Sequence, residues 1–110
     1  MKKPVNKQLI YDYLTRIPKG KVVTYGQIAE YLGNKNLART VGNILHCNPD
    51  GEKYPCYKVV NSKGMLSEQY AFGGIEHQKS KLEAEGIFVE SNKVNLSIFQ
   101  WKVRTGENIK

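Results

Sequence analysis

The stretch that decides the fold is Thr24-Tyr25-Gly26-Gln27-Ile28-Ala29-Glu30-Tyr31-Leu32-Gly33, which contains both a helix start and a helix stop. Thr24 followed three residues later by Gln27 matches the capping box, so Thr24 is the predicted N-cap and the helix begins at Tyr25. Gly33 is placed to end it. The residues expected to face the core are Ile28, Ala29 and Leu32.

A second helix follows the turn Gly33-Asn34-Lys35-Asn36 and is predicted to run from Leu37 to about Cys47, where Asn48-Pro49 ends it. Its apolar stripe consists of Leu37, Ala38, Val41, Ile44 and Leu45. Its opposite face carries Arg39, Asn43 and His46. Two short helices joined by a glycine-containing turn are typical of a helix-turn-helix that inserts its second helix into a DNA groove. An ordinary helix pair with a solvated outer face is the alternative.

Composition favours a basic globular domain. The chain of 110 residues is long enough for a single hydrophobic core, and its net charge of +7 would attract a polyanion, with nucleic acid as the first candidate. The alternative is that the lysines only keep the protein soluble.

No apolar run is long enough to span a membrane, and the N-terminus lacks a signal peptide, so a cytoplasmic protein is expected. The two cysteines and two histidines are spaced unconvincingly for a metal site, and none is expected.

The rest of the chain predicts short elements around this pair. Further helices are predicted at residues 6–16 and 75–85, and short strands at Val22-Val23, Val59-Val60, Ile87-Phe88-Val89 and Val94-Asn95-Leu96. The residues expected to cover the core near the C-terminus are Ile98, Phe99, Trp101 and Val103. The predicted fold is therefore mainly α with a few short strands.

The segment Tyr54-Pro55-Cys56-Tyr57-Lys58-Val59-Val60 presents a cysteine from a stiff, proline-fixed stretch. Such positioning suits a nucleophile at the mouth of a pocket. A free cysteine is more often a small buried hydrophobe, and here it could simply begin a core strand. The paired glycines Gly73-Gly74 and the nearby Tyr70 and Phe72 could wall a flat pocket or serve packing alone.

Several stretches of the chain resemble the DNA-binding and active-site domain of the alkylguanine-DNA alkyltransferases, also called methylated-DNA-protein-cysteine methyltransferases. The resemblance covers the chain from about Ile17 to Gly86. The matching pieces are residues 17–29, residues 38–42, Asn48-Pro49, Pro55-Cys56, Val59-Val60, Tyr70 with Gly73-Gly74, and Glu85-Gly86. It implies a winged helix-turn-helix domain spanning residues 1–110, without the N-terminal companion domain of full-length members.

The resemblance also implies a one-turnover reaction in which an alkylated guanine is flipped out of the duplex and its alkyl group passes to Cys56. Arg39 would fill the gap in the stack, Tyr25 would press on the target phosphate, and Asn48 would be a hinge. Tyr70 would donate to the base and Glu85 would be the acid of a proton relay. The DNA-binding candidates are Thr24, Tyr25, Gln27, Arg39 and Asn43. The catalytic candidates are Cys56, Tyr57, Tyr70 and Glu85.

The chain departs from the family pattern at Tyr57-Lys58, where the family usually reads His-Arg. Tyrosine, with a reference pKa of about 10, is a poor base at neutral pH. Three outcomes are open. Tyr57 keeps a water chain between Cys56 and Glu85 and permits slow transfer, Lys58 lowers the pKa of the thiol, or the protein binds the lesion without repairing it.

Three functions follow. The first is a single-turnover DNA alkyltransferase acting through Cys56. The second is an alkyltransferase-like lesion sensor, of the single-domain class that binds alkylated DNA without transferring the group and signals to other repair proteins. The third is a plain helix-turn-helix protein. The expected partner is double-stranded DNA containing alkylated guanine, bound by a monomer, with no cofactor and no membrane.

Overall fold

The computed structural model describes residues 6–67 and 72–102, and within these ranges the chain is mainly helical with short strands, as the sequence predicts. The α-helices are α1 (Lys7–Arg16), α2 (Tyr25–Tyr31), α3 (Ala38–His46), α4 (Gly74–Ala84) and α5 (Leu96–Phe99). The strands are β1 (Val23–Thr24), β2 (Val59–Val60), β3 (Val89–Glu90) and β4 (Lys93–Val94). Short 3-10 turns lie at Lys35–Leu37 and Cys56–Lys58. No described helix is long and apolar enough to cross a membrane.

The helix-turn-helix begins at the predicted capping box. The Thr24 hydroxyl accepts a hydrogen bond from the Gln27 backbone N–H at 3.1 Å, and the Gln27 side-chain oxygen accepts one from the Thr24 backbone N–H at 2.9 Å. Gly33 has φ +95°, the left-handed geometry that ends a helix without strain. The Asn34 side chain then caps a 3-10 turn, so α3 begins at Ala38 rather than Leu37.

A two-stranded parallel pair, β1 with β2, holds the helix-turn-helix beside the Cys56 segment. Val23 pairs with Val59, and both face a core cluster formed with α1, α2 and α3. Val22 and Val60 face a second cluster that packs against α4 and the β3–β4 hairpin. Because β2 follows the Cys56–Lys58 turn directly, this pairing fixes where the thiol lies relative to α2.

The region after β4 differs from the prediction in two places. Leu96 begins α5 instead of continuing a strand, because the Asn95 side chain accepts a hydrogen bond from the Ser97 backbone N–H at 2.9 Å and caps a helix. Ile98 is 58% exposed and does not cover the core, since a helix of four residues turns only Leu96 and Phe99 inward. Val103 lies outside the described residues.

Candidate functional site

A cleft of about 760 Å³ lies between the helix-turn-helix and the Cys56 turn. One wall consists of residues of the helix-turn-helix, among them Tyr25, Arg39 and Asn43. The other consists of residues from the second half of the chain, among them Cys56, Ser67 and Gln78. Arg39, Asn43 and His46 are exposed on α3, as the helical periodicity predicts. The fold thus places a hydrogen-bonding helix face and a cysteine on one cavity.

Tyr25 lies at the start of α2 with its ring against α3. A Cβ added at Gly42 would meet the Tyr25 ring at 3.8 Å, so the ring lies close to the α3 backbone. Burial raises the pKa of Tyr25, and the neighbouring Ser67 side chain offsets part of that rise. Tyr25 therefore remains a neutral phenol at neutral pH, able to donate a hydrogen bond into the cleft.

Asn48 connects the end of α3 to the cysteine segment. It is 6% exposed, its amide donates to the Tyr54 carbonyl at 2.8 Å, and its side-chain oxygen accepts from the Asp50 backbone N–H at 3.0 Å. It also lowers the pKa of the Cys56 thiol. These contacts tie the end of α3 to the segment that leads to Cys56, as a hinge residue would. The hinge role stays a prediction.

Cys56 combines both sequence interpretations, because it is buried in the core and also lines the cleft. Burial raises the pKa of its thiol, and the neighbouring Asn48 amide and the positive charge of Lys81 oppose this only in part. The thiol is therefore protonated at neutral pH, and protonated thiols are poor nucleophiles. Cys47, which also lines the cleft, is exposed.

Glu85 is held by three donors. The Tyr57 hydroxyl donates to one carboxylate oxygen, and the other accepts from Lys58 Nζ at 2.9 Å and the Gly20 backbone N–H at 3.0 Å. Burial favours a higher pKa, but the hydrogen bonds from Tyr57, Gly20 and Lys58 outweigh it and hold the pKa of Glu85 below its usual value. The carboxylate is therefore a weak proton acceptor.

Lys58 is 4% exposed, and its ammonium contacts the carbonyls of Ile17 at 3.2 Å and Pro18 at 3.1 Å as well as Glu85. The cation that acts on the Cys56 thiol is instead Lys81, whose ammonium lies 5.7 Å from the centre of the Tyr57 ring. Sequence reasoning missed Lys81 because α4 has weak apolar periodicity, which does not show which of its faces turns to the cleft.

Two other DNA-binding candidates lie in the helix cap. Thr24 and Gln27 bond each other, and Gln27 also donates to the Trp101 carbonyl at 2.7 Å and accepts from the Gln100 side chain at 2.8 Å. Neither lines the cleft, and a role for them in DNA contact stays a prediction. Tyr70 lies outside the described residues. Among the described residues, no group of three or more His, Cys, Asp or Glu could hold a metal ion.

The sequence also gave no reason to select Gln78, which is 1% exposed and lines the cleft. Its side chain donates to the carbonyls of Tyr57 at 3.0 Å and Val59 at 3.2 Å, and accepts from the Ser67 backbone N–H at 2.8 Å. The available signal is its spacing, four residues before the buried Leu82, which puts an amide on the inward face of α4.

Relatives match the chain along most of its length. It is 44% identical to a DNA base-flipping protein of Vibrio parahaemolyticus over 84% of the chain and 92% of that protein. It is 38% identical to alkyltransferase-like protein 1 of Schizosaccharomyces pombe over 84% of the chain and 91% of that protein. A methylated-DNA–protein-cysteine methyltransferase of Shigella flexneri is 38% identical, but the match spans only 46% of that protein.

The fold agrees with these matches. The crystal structure of S. pombe Atl1 in complex with damaged DNA containing O6-carboxymethylguanine superposes with a TM-score of 0.77 at 37% identity, covering 88% of this chain and 94% of that one. Residues 6–87 match the family model described as 6-O-methylguanine DNA methyltransferase, DNA binding domain. The cleft with its cysteine, the helix-turn-helix and these matches agree, and the chain belongs to the 6-O-methylguanine DNA methyltransferase DNA-binding-domain family.

Proposed function

We propose that the protein recognises alkylated guanine in duplex DNA by flipping the base into the cleft, and that it does not transfer the alkyl group. The observation that carries this proposal is that Cys56 lies in the cleft with a raised pKa while Tyr57 and Glu85 are bonded to each other. The relatives matched along nearly their whole length, a base-flipping protein and an alkyltransferase-like protein, support the same function.

Recognition depends on the α3 side of the cleft. The net charge of +7 draws the duplex to the protein, and exposed Arg39 and Asn43 line the cavity that would receive the base. Flipping costs a few kcal/mol of lost stacking, which a planar guanidinium from Arg39 offsets by occupying the gap. Tyr25, at the other edge of the cleft, contacts the phosphate of the flipped nucleotide.

Transfer would require the thiolate sulfur to attack the alkyl carbon while the carbon–oxygen bond breaks and guanine leaves. The thiol proton must first go to a base. The Tyr57 hydroxyl keeps its proton and donates a hydrogen bond to Glu85, whose pKa is lowered, so neither group accepts a proton readily at pH 7. Slow single-turnover transfer is the second candidate, favoured by the place of Cys56 on the cleft and the nearby charge of Lys81.

The deciding experiment measures intact-protein mass after incubation with a duplex carrying one O6-methylguanine, beside binding of the same duplex and an undamaged one. We expect no added methyl group and preferential binding to the damaged duplex. Cys56→Ser should behave like the wild type in both measurements. A methyl group gained by the wild type and not by Cys56→Ser would replace this proposal with the transferase.

Arg39→Ala tests flipping. Because the guanidinium offsets the cost of the empty stack, the preference for the damaged duplex should fall by roughly tenfold. The matched control is Lys7→Ala, which removes one exposed positive charge from α1 and should weaken binding to both duplexes equally. An unchanged preference in Arg39→Ala would refute its role as the stacking replacement.

A further inference from the structure

Hydrogen bonds of Gln78 connect the cysteine turn to Ser67, on the wall of the cleft that Tyr25 also lines. At one end Gln78 donates to the Tyr57 and Val59 carbonyls at 3.0 and 3.2 Å, on either side of Lys58. In the middle it accepts from the Ser67 backbone N–H at 2.8 Å. The Ser67 side chain lies beside Tyr25 and lowers the pKa of its phenol. Gln78, Ser67 and Tyr25 all line the cleft.

Both the nitrogen and the oxygen of the Gln78 amide have partners within the protein. Its nitrogen has two hydrogens and two carbonyl partners, and its oxygen accepts from Ser67. Burying an amide costs free energy unless its polar groups are hydrogen-bonded, so an apolar residue would fill the same space at lower cost. Because the amide hydrogens and oxygen of Gln78 bond other residues of the protein, Gln78 fixes the positions of those residues. Other side chains of the cleft would contact the base.

We propose that Gln78 is a positioning residue for lesion recognition, which holds Ser67, and through it the phosphate-contacting Tyr25, in register with the turn that carries Cys56. The inference rests on the proposed function. A flipped nucleotide has its base and its phosphate a fixed distance apart, so the wall that receives the base and the side chain that contacts the phosphate must keep matching positions. Undamaged duplex, which is bound without flipping, does not impose this requirement.

The test compares the affinities of the wild type, Gln78→Met and Ser67→Ala for an O6-methylguanine duplex and an undamaged duplex of the same sequence. Gln78→Met keeps the side-chain length and removes all three hydrogen bonds. Ser67→Ala removes only the hydroxyl and leaves the backbone N–H that bonds Gln78 intact. Ser80→Ala, at an exposed position of α4, is the matched control. Thermal unfolding of each variant reports stability separately.

We expect Gln78→Met and Ser67→Ala each to reduce the preference for the damaged duplex by roughly tenfold, with affinity for the undamaged duplex nearly unchanged. Because both break the same connection, the double variant should lose little more preference than the more affected single variant. Ser80→Ala should retain the full preference.

A Gln78→Met protein that melts earlier but keeps its preference would show that the amide serves stability alone and would overturn the proposal. If that variant does not fold, Ser67→Ala decides, and an unchanged preference overturns the proposal. A wild type without any preference for the damaged duplex would refute the proposed function itself. A wild-type preference that both variants retain would refute only this inference.

Discussion

Replacing Lys58 with methionine should destabilise the fold by about 3 kcal/mol, at the lower end of the cost of breaking a buried ion pair. The Lys58 ammonium bonds Glu85 at 2.9 Å and two backbone carbonyls, and its side chain is 5% exposed. Methionine fills similar space but donates to none of these groups. Glu85 keeps the Tyr57 and Gly20 donors, and its side chain is 14% exposed, so the penalty stays below the upper end of the range.

This loss is a large part of the roughly 5–15 kcal/mol that stabilises an ordinary domain. Urea unfolding followed by the fluorescence of Trp101, the single tryptophan, measures it directly. Lys63→Met, at an exposed loop position, is the matched control and should be close to neutral. Adding Glu85→Gln to Lys58→Met should restore part of the stability, because no unpaired charge is then buried.

A loss below about 1 kcal/mol, the value of an exposed pair, would refute the reasoning that Lys58 and Glu85 form a buried structural pair. So would a double variant less stable than Lys58→Met. Either result would return Lys58 to the role considered from the sequence, a cation whose charge acts on the Cys56 thiol.

Three other measurements test separate parts of the site. Lys81→Met should raise the pKa of the Cys56 thiol further, seen as a shift to higher pH in the rate of iodoacetamide modification in a Cys47→Ser background; no shift would remove Lys81 from the thiol environment. Thr24→Ala should cost about 1 kcal/mol in urea unfolding by removing the α2 cap, and an unchanged midpoint would contradict the capping role. Because the pKa of Glu85 is lowered from 4.5, its stabilisation is present above that pH and is lost as the pH falls through the folded-state value. Glu85→Gln should therefore flatten the acid limb of the stability curve, and an equally steep limb would contradict this assignment.

The helix-turn-helix could be predicted from sequence because its signals are local. The Thr24–Gln27 capping box, Gly33 and the α3 stripe each act within a few residues, and the structure contains all three. The exposed face of α3 follows from the same periodicity. The exposure of Ile98 could not be predicted. It depends on Asn95, whose side chain caps a short helix where the alternation of the sequence favoured a strand.

The chemistry of the site was harder to predict because it depends on contacts between distant segments. Sequence reasoning placed Lys58 among the candidate partners of the thiol, but which acid or carbonyl a buried lysine meets depends on how Ile17 and Glu85 pack. Gln78 and Lys81 lie on a helix whose weak periodicity hides its inward face. The family resemblance supplied roles for residues that match its motifs and none for these two.

The pairing of Val23 with Val59 also has a consequence for how the chain folds. The whole helix-turn-helix lies inside the loop that this pair closes, so the pair joins segments far apart in sequence and its closure costs chain entropy. Local helix formation can precede that step, but the cleft is complete only after it. We therefore expect α3 and the cysteine turn to be gained and lost together, as one cooperative unit, when the protein folds and unfolds.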